Sequence, residues 1–96
     1  MRKYEFTGET LSWMGRTLRR IRRISDNLLG GFIEHEGNLS HNGLCWIFDD
    51  AKVWNNAKVL DNAEIYWLSQ VYDNAIVRGN SMLFNTCQIF GNAIMT

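Results

Sequence analysis

The chain has 96 residues, a length typical of one domain. With 46% apolar and 21% charged residues, its composition is that of a globular protein and not of a disordered one. Ten Lys and Arg side chains balance ten Asp and Glu side chains, so the formal net charge is zero and nucleic-acid binding through bulk charge is not expected. No apolar stretch approaches the roughly 18 residues of a membrane span, and the N-terminus lacks a basic-then-apolar leader, so we expect a cytoplasmic protein without membrane contact.

Residues 1–28 are predicted to cap one end of the fold, as a β-hairpin or as a short helix. Residues 4–6 alternate as in a strand, and a hairpin would turn at Met14-Gly15. A helix over 11–24 would separate apolar residues from arginines, although Gly15 inside it would cost about 1 kcal/mol. Either form would close the end of a repeat fold.

An arginine run within this segment is a possible second binding surface. It would contact phosphates or, more plausibly, an acidic protein surface. The simpler interpretation is a solvated or salt-bridged face, because acidic residues lie nearby in the sequence. The arginines of this predicted surface are Arg16, Arg19, Arg20 and Arg23.

Residues 29–46 are predicted to form one degenerate coil of a solenoid. Turns are expected at Gly30-Gly31 and at Gly37-Asn38. The repeat described below continues weakly into this segment. Extended backward, it puts Leu29, His35 and His41 in its aliphatic series and Ile33, Leu39 and Cys45 in its small-residue series.

From residue 47 to 96 the sequence repeats every six residues. A small residue is followed two positions later by an aliphatic one, so both point to the same side of a short strand. Asp, Asn or Gly residues then supply a turn. The small series is Ala51, Ala57, Ala63, Ser69, Ala75, Ser81, Cys87 and Ala93, and the aliphatic series is Val53, Val59, Ile65, Val71, Val77, Leu83, Ile89 and Met95.

Three such strands per coil predict that residues eighteen positions apart stack on one another. The expected core columns are Ile47, Ile65 and Leu83; Val53, Val71 and Ile89; Val59, Val77 and Met95. Asn56, Asn74 and Asn92 should form a hydrogen-bonded ladder at one corner. The two cysteines, Cys45 and Cys87, fall on different faces as inward residues, so we expect buried free thiols and no disulfide.

This pattern, an aliphatic residue followed four positions later by a small one, resembles the hexapeptide repeat of left-handed β-helices. The resemblance covers residues 44–96 and implies a triangular, left-handed solenoid. Residues 30–34, 38–40 and 45–47 also resemble small β-helix proteins of phages and prophages, which favours the hairpin form of the cap. The position after the aliphatic residue departs from the family's usual Gly, Ala or Asp, which argues against the family's acyltransferase activity. That position holds Phe48, Trp54, Leu60, Tyr66, Tyr72, Arg78, Phe84 and Phe90.

Outward-facing residues of the coils predict a protein-binding surface. One wall is too apolar to remain bare, and contiguous apolar patches of this kind mark interfaces. Its corner at Trp67-Leu68 replaces the Asp/Asn/Gly-Asn turn found at other corners, so something other than the fold favours these side chains. Alternatively, the N-terminal segment covers this wall through Tyr4, Phe6 or Trp13. The predicted binding residues are Trp46, Phe48, Tyr66, Trp67, Leu68, Met82 and Phe84.

We therefore predict an all-β protein forming one domain, a left-handed parallel β-helix with an N-terminal hairpin or helix as cap. Its expected function is non-enzymatic binding of a protein partner. The phage resemblance implies a stoichiometric inhibitor of a host defence protein, acting in the host cytoplasm. No cofactor or metal ion is expected. The free strand edge around residues 90–95, or the apolar wall, is expected to form a homodimer.

Two other functions were weighed. Hexapeptide acyltransferases use a histidine and bind acyl-CoA between coils, which would give His35 or His41 a role as base. Neither histidine lies in the regular coils, and no extended loop follows to shape a substrate pocket. An ice-binding surface would need a regular Thr-x-Thr array on one wall, and the sequence lacks one.

Overall fold

The computed structural model describes residues 2–96, and twelve β-strands account for nearly all of its regular secondary structure. Within these residues, no helix has the length and apolar character needed to cross a membrane. The strands are β1 Tyr4–Trp13, β2 Arg16–Arg23, β3 Leu29–Ile33, β4 Trp46–Ile47, β5 Lys52–Val53, β6 Lys58–Val59, β7 Glu64–Ile65, β8 Gln70–Val71, β9 Ile76–Val77, β10 Met82–Leu83, β11 Gln88–Ile89 and β12 Ile94–Met95, and one 3₁₀ turn spans Glu36–Asn38.

The N-terminal segment is a β-hairpin, so the helical alternative is wrong. Strands β1 and β2 pair antiparallel, with Trp13 opposite Arg16 at the turn. Met14 and Gly15 between them have φ angles of 51° and 74°. A two-residue turn with both φ angles positive matches the right-handed twist of the flanking strands, which is why a Gly here favours a hairpin.

The remaining strands form a parallel β-solenoid, as predicted. One sheet has the order β1-β2-β3-β5-β8-β11, a second β10-β7-β4 and a third β12-β9-β6. Each strand from β4 to β9 pairs with the strand eighteen residues further along the chain. The core columns are confirmed: Ile47 pairs with Ile65 and Ile65 with Leu83, Val53 with Val71 and Val71 with Ile89, Val59 with Val77 and Val77 with Met95.

Hydrogen bonds between coils follow the same spacing. The Lys52 N–H donates to the Ser69 carbonyl at 3.0 Å, and the Lys58 N–H donates to the Ala75 carbonyl at 3.0 Å. Small residues precede the aliphatic ones inside each coil, because only short side chains fit beside a corner. From Ala51 to Ser81 every member of the small series is buried.

From Gly43 onward, every corner of the solenoid contains one residue in the left-handed conformation, at six-residue intervals. These residues are Gly43, Asp49, Asn55, Asp61, Trp67, Asp73, Gly79, Asn85 and Gly91, all with φ between 56° and 73°. Asn, Asp and Gly tolerate this conformation best, which explains their recurrence in the sequence. The predicted Asn ladder is confirmed, since Asn56 donates to Asn74 at 3.1 Å and Asn74 to Asn92 at 3.3 Å.

Aspartates at the corners add a second ladder that the sequence analysis missed. The carboxylate of Asp61 accepts the N–H of Gly79 at 3.0 Å, and that of Asp73 accepts the N–H of Gly91 at 3.0 Å. Each carboxylate thus satisfies a backbone donor of the next coil, eighteen residues later. Hydrogen bonds to a charged acceptor are stronger than neutral ones, so these aspartates reinforce the stacking.

The first coil corrects the predicted register. Its aliphatic positions are held by Ile33 and Leu39, and not by Leu29, His35 and His41. Ile33 pairs with Val53 and Leu39 with Val59, both twenty residues apart. Pairing returns to eighteen residues at β4, so the segment 40–45 contains two residues more than its counterpart 60–63. The backward extension of the pattern failed because of these two additional residues.

The hairpin folds over the N-terminal end of the solenoid. Tyr4 and Ile21 are completely buried and join the core of the coils. The Tyr4 hydroxyl donates to the carbonyl of Leu39 at 2.6 Å, and burial raises the pKa of Tyr4 well above its usual range. One polar side chain therefore ties the cap to the first coil.

The two cysteines are free thiols, as predicted, but their environments differ. Cys45 is completely buried beneath the cap. Cys87 is exposed, so the prediction of a second buried thiol is wrong. Its coil, which contains β10, β11 and β12, pairs on one side only among the described residues.

Candidate protein-binding surface

Two ladders of stacked aromatic rings run along the outside of the solenoid. In the first ladder, Tyr66 lies between Phe48, with ring centroids 4.4 Å apart, and Phe84, at 5.0 Å. In the second ladder, Tyr72 lies between Trp54 at 4.5 Å and Phe90 at 5.5 Å. The ladders exist because outward positions eighteen residues apart face each other on adjacent strands, where aromatic pairs stabilise a sheet by about 0.2–1 kcal/mol each.

The hairpin covers the Trp54 end of the second ladder, whose other end, Phe90, is 54% exposed, and it leaves most of the first ladder uncovered. Trp13 packs edge-on against Trp54 at 6.4 Å, and Trp54 is buried. Along the first ladder, exposure increases from the partly buried Phe48 to the exposed Phe84. Trp13 therefore covers part of the neighbouring wall, and not the apolar wall that the alternative prediction assigned to it.

Trp46 corrects the predicted surface, because it is completely buried. The edge of Tyr4 packs against its ring at 6.3 Å, and the Arg23 guanidinium lies over it at 5.3 Å. Gly30 approaches so closely that a Cβ atom there would lie 2.6 Å from the indole ring. Trp46 faces outward from its coil but lies beneath the cap, and it belongs to the core.

Trp67 and Leu68 are exposed at the corner that breaks the polar pattern, with 61% and 51% of their surface accessible. Trp67 has φ 62°, a conformation that is rare for a bulky side chain. Its N–H donates to the Asp49 carboxylate at 2.9 Å, as the N–H groups of Gly79 and Gly91 donate to aspartates at other corners. The fold therefore imposes the left-handed conformation on whichever residue occupies this position.

The exposed members of the predicted site lie next to this corner. Met82 and Phe84 are each nearly half exposed and belong to the same wall as Tyr66. The Tyr66 hydroxyl donates to the Glu64 carboxylate at 3.0 Å, and partial burial raises the pKa of Tyr66. We define the apolar corner surface as Tyr66, Trp67, Leu68, Met82 and Phe84.

The arginine run is used mainly inside the cap. Arg16 pairs with Glu34 at 2.9 Å, and Arg23 pairs with Asp26 at 2.8 Å. The hydrogen bond to Arg23 holds the pKa of the Asp26 carboxyl below its usual range. Of the four arginines of the predicted second surface, only Arg19 forms no ion pair within residues 2–96, and its guanidinium lies 5.1 Å from the Phe6 ring.

Arg20 is held most firmly of these arginines. Its guanidinium pairs with the carboxylates of Glu9 and Asp50 at 3.0 and 2.8 Å and donates to the carbonyl of Gly30 at 2.7 Å. It also lies 4.2 Å from the centre of the Phe32 ring. These contacts make Arg20 a connection between the hairpin, β3 and the first regular corner.

Both histidines are engaged in local hydrogen bonds. The His35 ring accepts the N–H of Gly37 at 3.1 Å and caps the 3₁₀ turn. His41 stacks on Tyr4 at 4.0 Å, accepts the N–H of Lys3 at 3.0 Å, and contacts the Glu36 carboxylate at 2.7 Å. That contact, together with Arg2, lowers the pKa of Glu36.

A groove between the hairpin and the apolar corner surface was not predicted. It has a volume of about 310 Å³, and Trp13, Phe32 and Leu68 contribute to its apolar lining. Lys52 lines it with only 8% of its surface accessible. The Lys52 ammonium donates to the Asp50 carbonyl at 3.0 Å and lies 4.7 Å from the centre of the Trp13 ring. Burial lowers the pKa of Lys52.

The sequence contained one signal for this groove. Lys52 occupies an outward position in the coil nearest the hairpin, where the cap was expected to pack. The partner residue of the pair, Trp13, lies 39 positions away, and only the docking of the hairpin places its ring over the ammonium.

No family model and no curated protein matches this chain.

Proposed function

We propose that this chain is a non-enzymatic protein-binding module that binds through the apolar corner surface. We further infer that its solenoid is the left-handed, hexapeptide-repeat type of β-helix. By its resemblance to small β-helix proteins of phages, it acts in the host cytoplasm as a stoichiometric inhibitor of a host defence protein.

The conformation and exposure of Trp67 are the observation that carries this proposal. A left-handed backbone costs a residue with a Cβ atom about 1–2 kcal/mol, and the side chain recovers only part of this through burial because most of its surface faces water. Asn85 occupies the same corner one coil later without that conflict. Strained residues retained on a surface point to function.

The surroundings of Trp67 support an interface. Leu68 adds a second exposed apolar side chain, and the stacked rings of Tyr66 and Phe84 form a firm platform beside it. Trp and Tyr dominate the binding energy of protein interfaces, typically at the desolvated centre. A rigid scaffold reduces the entropy lost on binding, so a small surface can bind well.

The alternative, an acyltransferase-like protein that binds acyl-CoA between coils, has less support. His35 contacts the Asn55 carbonyl at 2.8 Å, and His41 is hydrogen-bonded to Glu36 of the first coil and to Lys3 of the cap. The two-residue corners of the regular coils provide no long loop beside them. The groove at Lys52 lies between the hairpin and a corner, and not between coils.

The test is a comparison of three forms of the protein as affinity baits in a bacterial lysate. Trp67→Asn with Leu68→Thr copies the sequence of the next coil at the same corner, Asn85-Thr86, and should fold. Leu44→Asn is the matched control, because Leu44 is 77% exposed at another corner. We expect the wild type and the Leu44 variant to retain one protein in equimolar amount, and the corner variant to lose it.

The identity of the captured protein tests the inhibitor part of the proposal, since a host defence protein is expected. Equal capture by the corner variant would overturn the binding surface. Failure of the wild type to retain any protein would overturn the binding function. A second copy of the chain as the retained protein would identify the surface as a homodimer interface.

A further inference from the structure

We propose that the groove beside the apolar corner surface binds an aspartate or glutamate side chain of the protein partner, next to an apolar residue, through the Lys52 ammonium. This inference rests on the proposed binding function and names the chemistry of the partner. Leu68 belongs to both the corner and the groove, so one bound segment can contact both.

Lys52 is a buried cation whose charge the nearby Asp50 carboxylate compensates only in part. Within residues 2–96, no carboxylate forms an ion pair with it, and the nearby Asp50 carboxylate is paired with Arg20 at 2.8 Å. Removing an ammonium from water costs several kcal/mol unless another charge compensates. A buried charge that lines a cavity and has no ion-pair partner is typical of a binding site.

The contacts that Lys52 does make leave room for an anion. An ammonium has three donors, and one of them is directed at the Asp50 carbonyl. The rings of Trp13 and Phe32, at 4.7 and 5.9 Å, stabilise the cation but accept no conventional hydrogen bond. Burial lowers the pKa of Lys52, because the ammonium has lost part of its contact with water.

The lining of the groove selects the class of anion. Among the charged side chains that line the groove, Arg20 and Lys52 are cations and Asp50 is an anion, so the lining carries one net positive charge. A doubly charged phosphate would bring one negative charge more than this lining compensates. A single carboxylate matches the single ammonium, and the apolar lining fits an aromatic or aliphatic neighbour of that carboxylate.

Short peptides with both ends blocked test this site directly. N-acetyl-Phe-Glu-amide supplies a side-chain carboxylate, N-acetyl-Phe-Gln-amide is its neutral counterpart, and N-acetyl-Gln-Phe supplies only a terminal carboxylate. Binding is measured by NMR from the shift of the Trp13 indole N–H signal. We expect the Glu peptide to bind at least 10-fold more tightly than the Gln peptide, in line with a charge-assisted hydrogen bond.

Two variants complete the test. Lys52→Met removes the charge, keeps an unbranched side chain one atom shorter, and should abolish the difference between the Glu and Gln peptides. Lys58→Met makes the same charge change at an exposed position and should retain it. The proposal is overturned by equal binding of the two peptides, by no shift at 10 mM, by an unchanged preference in Lys52→Met, or by tighter binding of the terminal carboxylate. None of these outcomes affects the capture experiment with the Trp67 and Leu68 variant, so the two proposals fail separately.

Discussion

Substitutions of Trp67 should separate two contributions to the unfolding free energy, the strain in its backbone and the burial of its side chain. About two fifths of the Trp67 surface is buried, which for a side chain of roughly 250 Å² is about 100 Å². At about 25 cal/mol per Å², truncation loses at most about 2.5 kcal/mol of unfolding free energy. Against this, a residue that accepts the left-handed conformation recovers about 1 kcal/mol.

Three substitutions at this position isolate the two contributions. Trp67→Ala loses the burial and keeps the strain, whereas Trp67→Asn and Trp67→Gly lose the burial and relieve the strain. We expect the Asn variant to exceed the Ala variant by about 1 kcal/mol in unfolding free energy. Urea denaturation followed by circular dichroism measures this difference, since an m-value of about 1–3 kcal/mol/M converts it to a clear shift in midpoint.

A control at the same corner of the next coil fixes the scale. Asn85 has φ 62°, so Asn85→Ala should cost about 1 kcal/mol with almost no change in apolar burial. If Trp67→Ala proved as stable as Trp67→Asn while Asn85→Ala was destabilised, the strain assigned to Trp67 would be refuted. Trp67 would then no longer support the proposed binding surface.

Further predictions concern the core, the cap, the groove and the oligomeric state. Val71→Asp should unfold the protein, because an unpaired buried charge costs about 3–5 kcal/mol or more. Gln70→Asp, at the outward neighbouring position, should change stability by less than about 0.5 kcal/mol. Equal effects in denaturation curves would refute the assignment of inward and outward positions. Tyr4→Phe should lower the unfolding free energy by about 1–2 kcal/mol, because a buried carbonyl loses its donor, and thermal denaturation would show no change if the cap were not tied there. Lys52→Met should be more stable than wild type at pH 7. This advantage should shrink as the pH rises toward 10. Because the pKa of Lys52 is lowered in the folded state, the unfolded wild-type chain binds more protons over that range, and wild-type stability therefore rises with pH. Parallel pH profiles of the two proteins would contradict this. If the apolar corner surface forms a homodimer, light scattering at high concentration should show a dimer that Phe84→Asn dissociates, and a strict monomer would exclude it.

The regular coils were predictable because their physical constraints repeat. Each inward position meets the same environment eighteen residues later, so Val53, Val71 and Ile89 show in sequence what the stacking requires. The turn residues were equally informative, because a left-handed corner selects Asn, Asp or Gly. Trp67 shows the limit of this rule: its place in the repeat predicts its conformation, although its residue type does not.

The first coil and the cap were predicted less well, because their structure depends on contacts distant in sequence. Two additional residues between Leu39 and Trp46 shifted the register, and a pattern of fixed spacing cannot reveal them. The burial of Trp46 follows from the docking of the hairpin, in which Tyr4 and Arg23 close over a ring that its own strand directs outward. The groove at Lys52 arises from the same docking and was missed for the same reason.

The constant eighteen-residue spacing between paired strands also determines how the chain can fold during synthesis. The hairpin and the first coil leave the ribosome before the later coils and can pair with each other before those coils exist. At about 5–20 residues per second, each further coil is synthesised in about one to four seconds, and it can pair with the free strand edges of the previous coil. The growing chain therefore never carries much more than one coil of unpaired strand, which limits the time during which its aromatic segments can pair with a neighbouring nascent chain.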